Sequence, residues 1–207
     1  MSSIQLKHSG GNSVSIAAPS SNPSSNRTLT VPSNADGTIL TTTYPKSGNI
    51  LQVVHETKTD AFTTSSTSFV DVPGMAASIT PTSASSKIIV LFNIYLGGSN
   101  NAYGNAKCQR LISGGSYADL QVADALGNHV SANVAIDTEV AYGQYKGYGY
   151  SFSLQDTSHN TTSQITYKLV LKLTNGWCYF NRNYIDDASY STAGTSSVML
   201  MEVAGWV

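Results

Sequence analysis

A chain of 207 residues with 41% hydrophobic side chains can bury a core, yet only 11% of its residues are charged, well under the usual quarter. Its 30 serines and 21 threonines give a surface wetted by hydroxyls rather than ions. A net charge of −1 with cations scattered singly argues against a nucleic-acid groove, which needs several clustered cations to displace counterions. The longest apolar run, Ile88–Phe92, is far short of the roughly 20 residues of a membrane helix.

The first 48 residues differ from the rest. They hold four of the six prolines (Pro19, Pro23, Pro32, Pro45) and neither Phe nor Trp. Short alternating pieces recur at Ile4-Gln5-Leu6, Val14-Ser15-Ile16 and Leu29-Thr30-Val31. Alternation over so few residues makes a strand but buries too little to fold alone. The segment reads as an extended arm over residues 1–48 that must lie against something. Its apolar contacts would be Ile4, Leu6, Val14, Ile16, Leu29 and Val31, and the arm would hold copies of the chain together.

From Ile50 onward the pattern is β. Ile50–His55 is a strand of β-branched residues. Phe69–Val72 alternates and is read as stopping at a Pro73-Gly74 turn, with a separate strand over Met75–Thr80. Lys87–Leu96 begins as a nearly continuous apolar run, the mark of a strand buried between layers, and Gly97-Gly98 ends it. Further strands are expected over 106–113, 117–123, 131–136, 140–145, 150–155, 164–174, 177–181 and 197–203. The clearest alternation is Ile165–Leu173, with Ile165, Tyr167, Leu169, Leu171 and Leu173 inward and Lys168 and Lys172 outward. This spacing predicts an all-β head over residues 49–207: a jelly-roll-like sandwich of eight to ten strands.

Catalytic chemistry is hard to find in these residues. His8, His55, His129 and His159 are scattered, so no metal site is expected. Asp186-Asp187, the one adjacent acidic pair, points apart rather than face to face. Neither a nucleophile elbow nor a phosphate loop occurs. No enzyme activity and no cofactor are expected. Cys108 and Cys178 read as two buried thiols.

The informative cluster is aromatic. Tyr142, Tyr145, Tyr148 and Tyr150 are separated by Gly143, Gly147 and Gly149. Tyrosine offers a flat apolar face with a polar tip, and glycine lets a loop turn tightly around it. The cluster is read as a receptor-contact loop, with Asn100, Asn101 and Tyr103 as a companion patch and Asn181–Asp187 as a third surface. The competing reading has two of the four tyrosines pointing into the sandwich and the rest covering its edge.

The stretches Ile4–Val14, Ser21-Asn22-Pro23 and Leu29–Pro32 with Ala35-Asp36-Gly37 resemble the N-terminal segment of fibre and other virion structural proteins of bacteriophages, notably cyanophage-like and marine phages. Gly48–Val54, Phe69–Gly74 and Ile79-Thr80-Pro81 with Ser85–Ile88 look like the opening of the β-sandwich domain of the same proteins. Asn181–Tyr184 and Val198–Val203 are similar to its close. The resemblance implies a homotrimeric virion appendage made in the host cytoplasm, and Met1–Lys7, with no charged stretch leading into an apolar one, is not expected to be a secretory signal. Residues 1–48 would anchor it to another virion protein, a tail or baseplate adaptor or the major capsid protein. The head would meet host-surface polysaccharide as a short tail fibre or spike; the alternative is a capsid decoration (cement) or head-fibre protein. No nucleic acid and no membrane insertion are implied.

Overall fold

Every regular element among the described residues is a β-strand. The computed structural model describes residues 3–7, 9–17, 21, 46–99, 101–138, 145–185, 187, 189 and 191–205. The chain divides into two units, Met1–Leu40 and Thr41–Val207. In the first, β1 (Ser3–Lys7) and β2 (Ser13–Ala17) form an antiparallel hairpin with Ile4 opposite Ile16 and Leu6 opposite Val14. Leu6 and Ile16 are exposed, and an isolated two-stranded hairpin is marginal in water. Leu29 and Val31 lie outside the described residues.

The second unit contributes β3 (Ile50–Lys58), β4 (Phe62–Thr64), β5 (Val70–Ile79), β6 (Lys87–Gly98), β7 (Tyr103–Ile112) and β8 (Ala118–Asp119). It continues with β9 (Val134–Asp137), β10 (Gly147–Asp156), β11 (Ile165–Asn175), β12 (Cys178–Phe180) and β13 (Ser196–Val203). One antiparallel sheet runs β3-β13-β6-β10, with β12 and β4 taking over beside the far end of β6. The other runs β5-β11-β7, with β8 and β9 sharing the last position. The last strand, β13, inserts between the first, β3, and β6, which is the doubled Greek key of a jelly roll.

The core follows from alternation. Ile88, Val90, Phe92, Ile94 and Leu96 of β6 all point inward and are at most 3% exposed. Tyr167, Leu169, Leu171 and Leu173 of β11 join the same cluster from the facing sheet. The Phe92 and Phe152 rings stack with centroids 5.1 Å apart. Each such aliphatic or aromatic burial is worth about 1.5–3 kcal/mol. The inward set expected for Ile165–Leu173 is the observed one. Both thiols are free and buried, and burial pushes each up to about 12.

Two expected features differ. Pro73-Gly74 does not end a strand. β5 continues through it, and between the pairs Asp71–Val170 and Ala76–Lys168 the extra residues loop out as a bulge. β5 is a sheet edge, where a missing proline N–H costs no ladder bond, and Gly74 at φ +76° supplies the turn of the bulge. The strand expected over 117–123 shrinks to Ala118–Asp119. The one expected over 140–145 falls mostly outside the described residues, and β4 was not foreseen.

Buried polar groups close the end of the sandwich where Lys46–Asn49 leads into β3. Asp156, the inward-facing last residue of β10, is fully buried. Arg110 Nη1 of β7 donates to both its oxygens at 2.8 Å, Tyr167 Oη of β11 donates at 2.8 Å and the Ser158 N–H at 3.0 Å. This cluster joins the two sheets. Glu202 of β13, also fully buried, accepts from Gln52 Nε2 at 2.6 Å and from the Thr82 N–H and hydroxyl at 2.8 and 2.9 Å. It holds the β5–β6 loop. Replacing Asp156 by Ala would leave Arg110 and Tyr167 without their acceptor. The expected cost is about 3–5 kcal/mol, read as a lower urea midpoint.

Burial pushes both carboxyls up, but their donors more than offset it. Arg110, Ser158 and Tyr167 do this at Asp156, and Gln52, Ser86 and Thr82 do it at Glu202, so both end below their ordinary values. A carboxyl held low in the folded chain binds its proton more readily once unfolded. Its stabilisation is therefore full above the ordinary carboxylate range, near pH 4, and is lost as pH falls through the folded-state value. The melting temperature should hold from neutral pH to about 5 and fall below about 4. A rise on acidification would contradict this account.

Candidate functional site

Strand ends, turns and a long connection meet at the other end of the sandwich. Lys46–Asn49 is tied to the C-terminal end of β13 by Gly48 N–H to Ala204 O at 3.0 Å and Ala204 N–H to Asn49 O at 2.8 Å. The described residues of the β6–β7 loop, the end of β9, the start of β10, the β11–β12 turn and the described residues of 181–195 all lie at the opposite end.

Backbone bonds fix this end. The Ser99 N–H donates to Trp177 O at 3.0 Å and the Trp177 N–H returns to Ser99 Oγ at 2.9 Å. Thr138 donates to Ala102 O through its N–H at 3.0 Å and its hydroxyl at 2.9 Å. Asn175 Nδ2 donates to Asn101 O at 2.9 Å. Gly176, at φ +77°, packs so closely on Ala102 that a Cβ there would clash with backbone.

The described residues of 181–195 are pinned from within. Asn181, 3% exposed, donates through Nδ2 to Lys58 O at 2.8 Å and Asp60 O at 3.0 Å, while its Oδ1 accepts from Ser196 Oγ at 2.7 Å. The carbonyl of Lys58 is thus held, and the buried Lys58 Nζ reaches Asp60 Oδ2 at 2.8 Å as an ion pair without a well-directed hydrogen bond. Asn183 Oδ1 accepts from the Thr192 N–H at 3.0 Å. Outside this frame, Tyr184 meets Tyr179 edge-on at 5.3 Å and the Arg182 guanidinium lies 4.6 Å from the Tyr179 ring centre. An open cleft of about 260 Å³ is lined by Arg182, Asn183, Ile185, Ser191, Thr192 and Ala193.

The expected contact residues divide. Tyr142 and Asn100 lie outside the described residues. Tyr145 precedes β10 and is 37% exposed. Tyr148 and Tyr150 stand on β10 opposite the buried Leu96 and Ile94, on the strand's inner face. The Tyr150 hydroxyl donates to Asp137 O at 2.6 Å and accepts from the Asp137 N–H at 3.2 Å, so it fastens β10 to β9. Burial raises both tyrosine hydroxyls, and the Asp137 charge adds to the effect. Asn101, at φ +59°, and Tyr103, 42% exposed, sit at this end. Of the third surface, Asn181 and Asn183 are structural, whereas Arg182 and Tyr184 border open space.

The residue the sequence reading overlooked is Trp177, 49% exposed. Its signal was present: Asn175-Gly176 is a turn dipeptide between two strands, and here the turn carries the chain from one sheet to the other and leaves the following residue at the surface. Exposed aromatic faces beside fixed amides can stack on the C–H faces of a sugar while the amides read its hydroxyls. Among the described residues no three His, Cys, Asp or Glu side chains converge as a metal site would require.

Neither a family model nor a curated protein matches the chain. Among solved structures it is similar to VP2 of infectious bursal disease virus in a subviral particle, at 11% identity and a TM-score of 0.40, over 86% of this chain and 46% of that one. The T=1 particles derived from the same virus give 11% identity and 0.39, over 87% and 41%. Eiger TNF from S. frugiperda gives 8% and 0.30, over 75% and 95%. The chain spans under half the length of these viral proteins.

Replacing Tyr150 by Phe removes the tie between β10 and β9 and leaves the ring in place. It should cost about 1 kcal/mol in urea unfolding without changing the circular-dichroism spectrum.

Proposed function

We propose that the chain is a structural protein of a bacteriophage virion, a short tail fibre or spike subunit. It is anchored through residues 1–48, and the far end of its jelly roll contacts the host surface. The observation that carries this reading is the polarity of the head. The chain comes in at one end beside Ala204, and Trp177, Tyr103, Tyr184 and Tyr145 are exposed at the other. That is the layout of an attached module that presents its free end. The proposed ligand class is host-surface polysaccharide, and the role is contact rather than catalysis. Three copies held through the arm would turn weak single contacts into firm adsorption by effective concentration. The hydroxyl-rich, weakly charged composition and the resemblance of the N-terminal segment to phage fibre proteins agree with this reading.

A capsid decoration protein is the competing reading, since a bracing role also needs an arm and a rigid β head. Antibody-gold labelling of virions separates the two: label on the tail supports attachment and label over the head supports decoration. Under the attachment reading, Trp177→Ala with Tyr103→Ala should reduce adsorption at least about tenfold through loss of multivalent contact, with an unchanged melting temperature. Adsorption at the parental rate by a folded double variant would remove this end of the head from the contact.

A further inference from the structure

In a chain with so few charges, a cation left without a carboxylate stands out. Among the described residues the ion-paired cations are Lys58, Lys107, Arg110 and Lys168. Arg182 is not one of them. Asp187, on the same connection, turns one carboxylate oxygen back onto the Ser189 N–H at 2.9 Å. A guanidinium carries five N–H donors, and at Arg182 only Nη1 makes a contact, to Asn183 O at the long distance of 3.5 Å. The side chain is half-buried, lies over the Tyr179 ring and lines the cleft formed with Asn183, Ile185 and residues 191–193.

The walls of that cleft are set before any ligand arrives. Arg182 pairs with Ala193 as an antiparallel bridge, the Asn183 N–H reaches Thr192 O at 3.4 Å and the Gly194 N–H donates to Asn181 O at 2.9 Å. Beneath them, Gly97 of the central strand leaves no room for a Cβ against the Asn183 backbone. A site held this way loses little freedom on binding. Its volume of about 260 Å³ falls just under the roughly 300–1,000 Å³ of sites for drug-sized ligands and suits a single sugar ring.

We propose that this cleft binds the carboxylate of an acidic sugar, a uronic-acid type of residue in the host glycan. A guanidinium fork matches the two coplanar oxygens of a carboxylate, and partial desolvation beside an aromatic ring strengthens the pairing. Phosphate is the other anion that a fork takes, but its additional oxygens need further donors, and Arg182 is the one cation among the described residues that line the cleft. Thr192, exposed on the opposite wall, supplies a hydroxyl for a ring hydroxyl, and the exposed Tyr184 beside Tyr179 offers a face for sugar C–H groups. The inference rests on the reading of this end as a glycan contact and narrows the glycan to an acidic one.

Nuclear magnetic resonance titration of the full chain with methyl β-glucuronide, its uncharged carboxamide, methyl β-glucoside and glucose 6-phosphate tests it. The glucuronide should bind at least about tenfold more tightly than the carboxamide or the glucoside, and less tightly as salt is raised. Arg182→Gln should remove that preference with the circular-dichroism spectrum unchanged. Arg182→Lys, which keeps the charge and loses the fork, should retain only part of it. Equal binding of glucuronide and carboxamide, or a folded Arg182→Gln variant with the preference intact, overturns the carboxylate site and leaves a neutral glycan contact standing. Glucose 6-phosphate binding as tightly as the glucuronide overturns the choice of carboxylate. Binding of none of the four overturns the cleft as a sugar site, whereas host attachment itself falls only to gold label over the head. The carboxamide comparison uses the parent chain alone, so it decides even where the Arg182 variants do not fold.

Discussion

Strand β6 is the constraint on which the rest depends. It is twelve residues long, buries every second side chain from Ile88 to Leu96, and pairs with β10 on one side and with β13 and then β12 on the other. A strand hydrogen-bonded along both edges must be central, and one with this inner row must face a second sheet. The handover from β13 to β12 along the same edge leaves Gly97 and Gly98 at the far end of β6, where Asn183 and Thr138 pack against them too closely to admit a Cβ. The loops of the candidate contact end therefore sit directly on the central strand, so their geometry is set by the core.

The two ends of the sandwich are closed by different physics. Where the chain leads in, two fully buried carboxylates are each surrounded by donors, and the Asp156 cluster couples strands of both sheets. Such a closure is directional and fixes how the sheets register against each other. At the far end, close glycine contacts and backbone bonds between loops do the work, and large aromatic side chains are left to solvent. One end is spent on internal order and the other is available for contact.

Much of this was legible in residue order. The period of two in Ile165–Leu173 specified β11 with its inner face, and the apolar run at Ile88–Phe92 marked the central strand, because a two-residue period is a direct imprint of burial. Pro73-Gly74 was misread because local punctuation cannot tell a turn from a bulge on an edge strand; that depends on which strand lies beside it. Tyr148 and Tyr150 looked like loop residues because glycines flank them. Spaced two apart, they also fit the inner row of a strand, and pairing with β6 decides for the latter. Arg110 and Asp156 are 46 residues apart, and no sequence pattern announces a pair joined only by the meeting of two sheets.

Cys108 and Cys178 lie on strands of different sheets, both buried and both protonated over the whole physiological range. A thiol held as the thiol is a poor nucleophile, and a buried one is out of reach of small oxidants. The two cysteines of the head are thus withdrawn from thiol chemistry. Its strands are held by packing and hydrogen bonds, not by a covalent cross-link between these thiols.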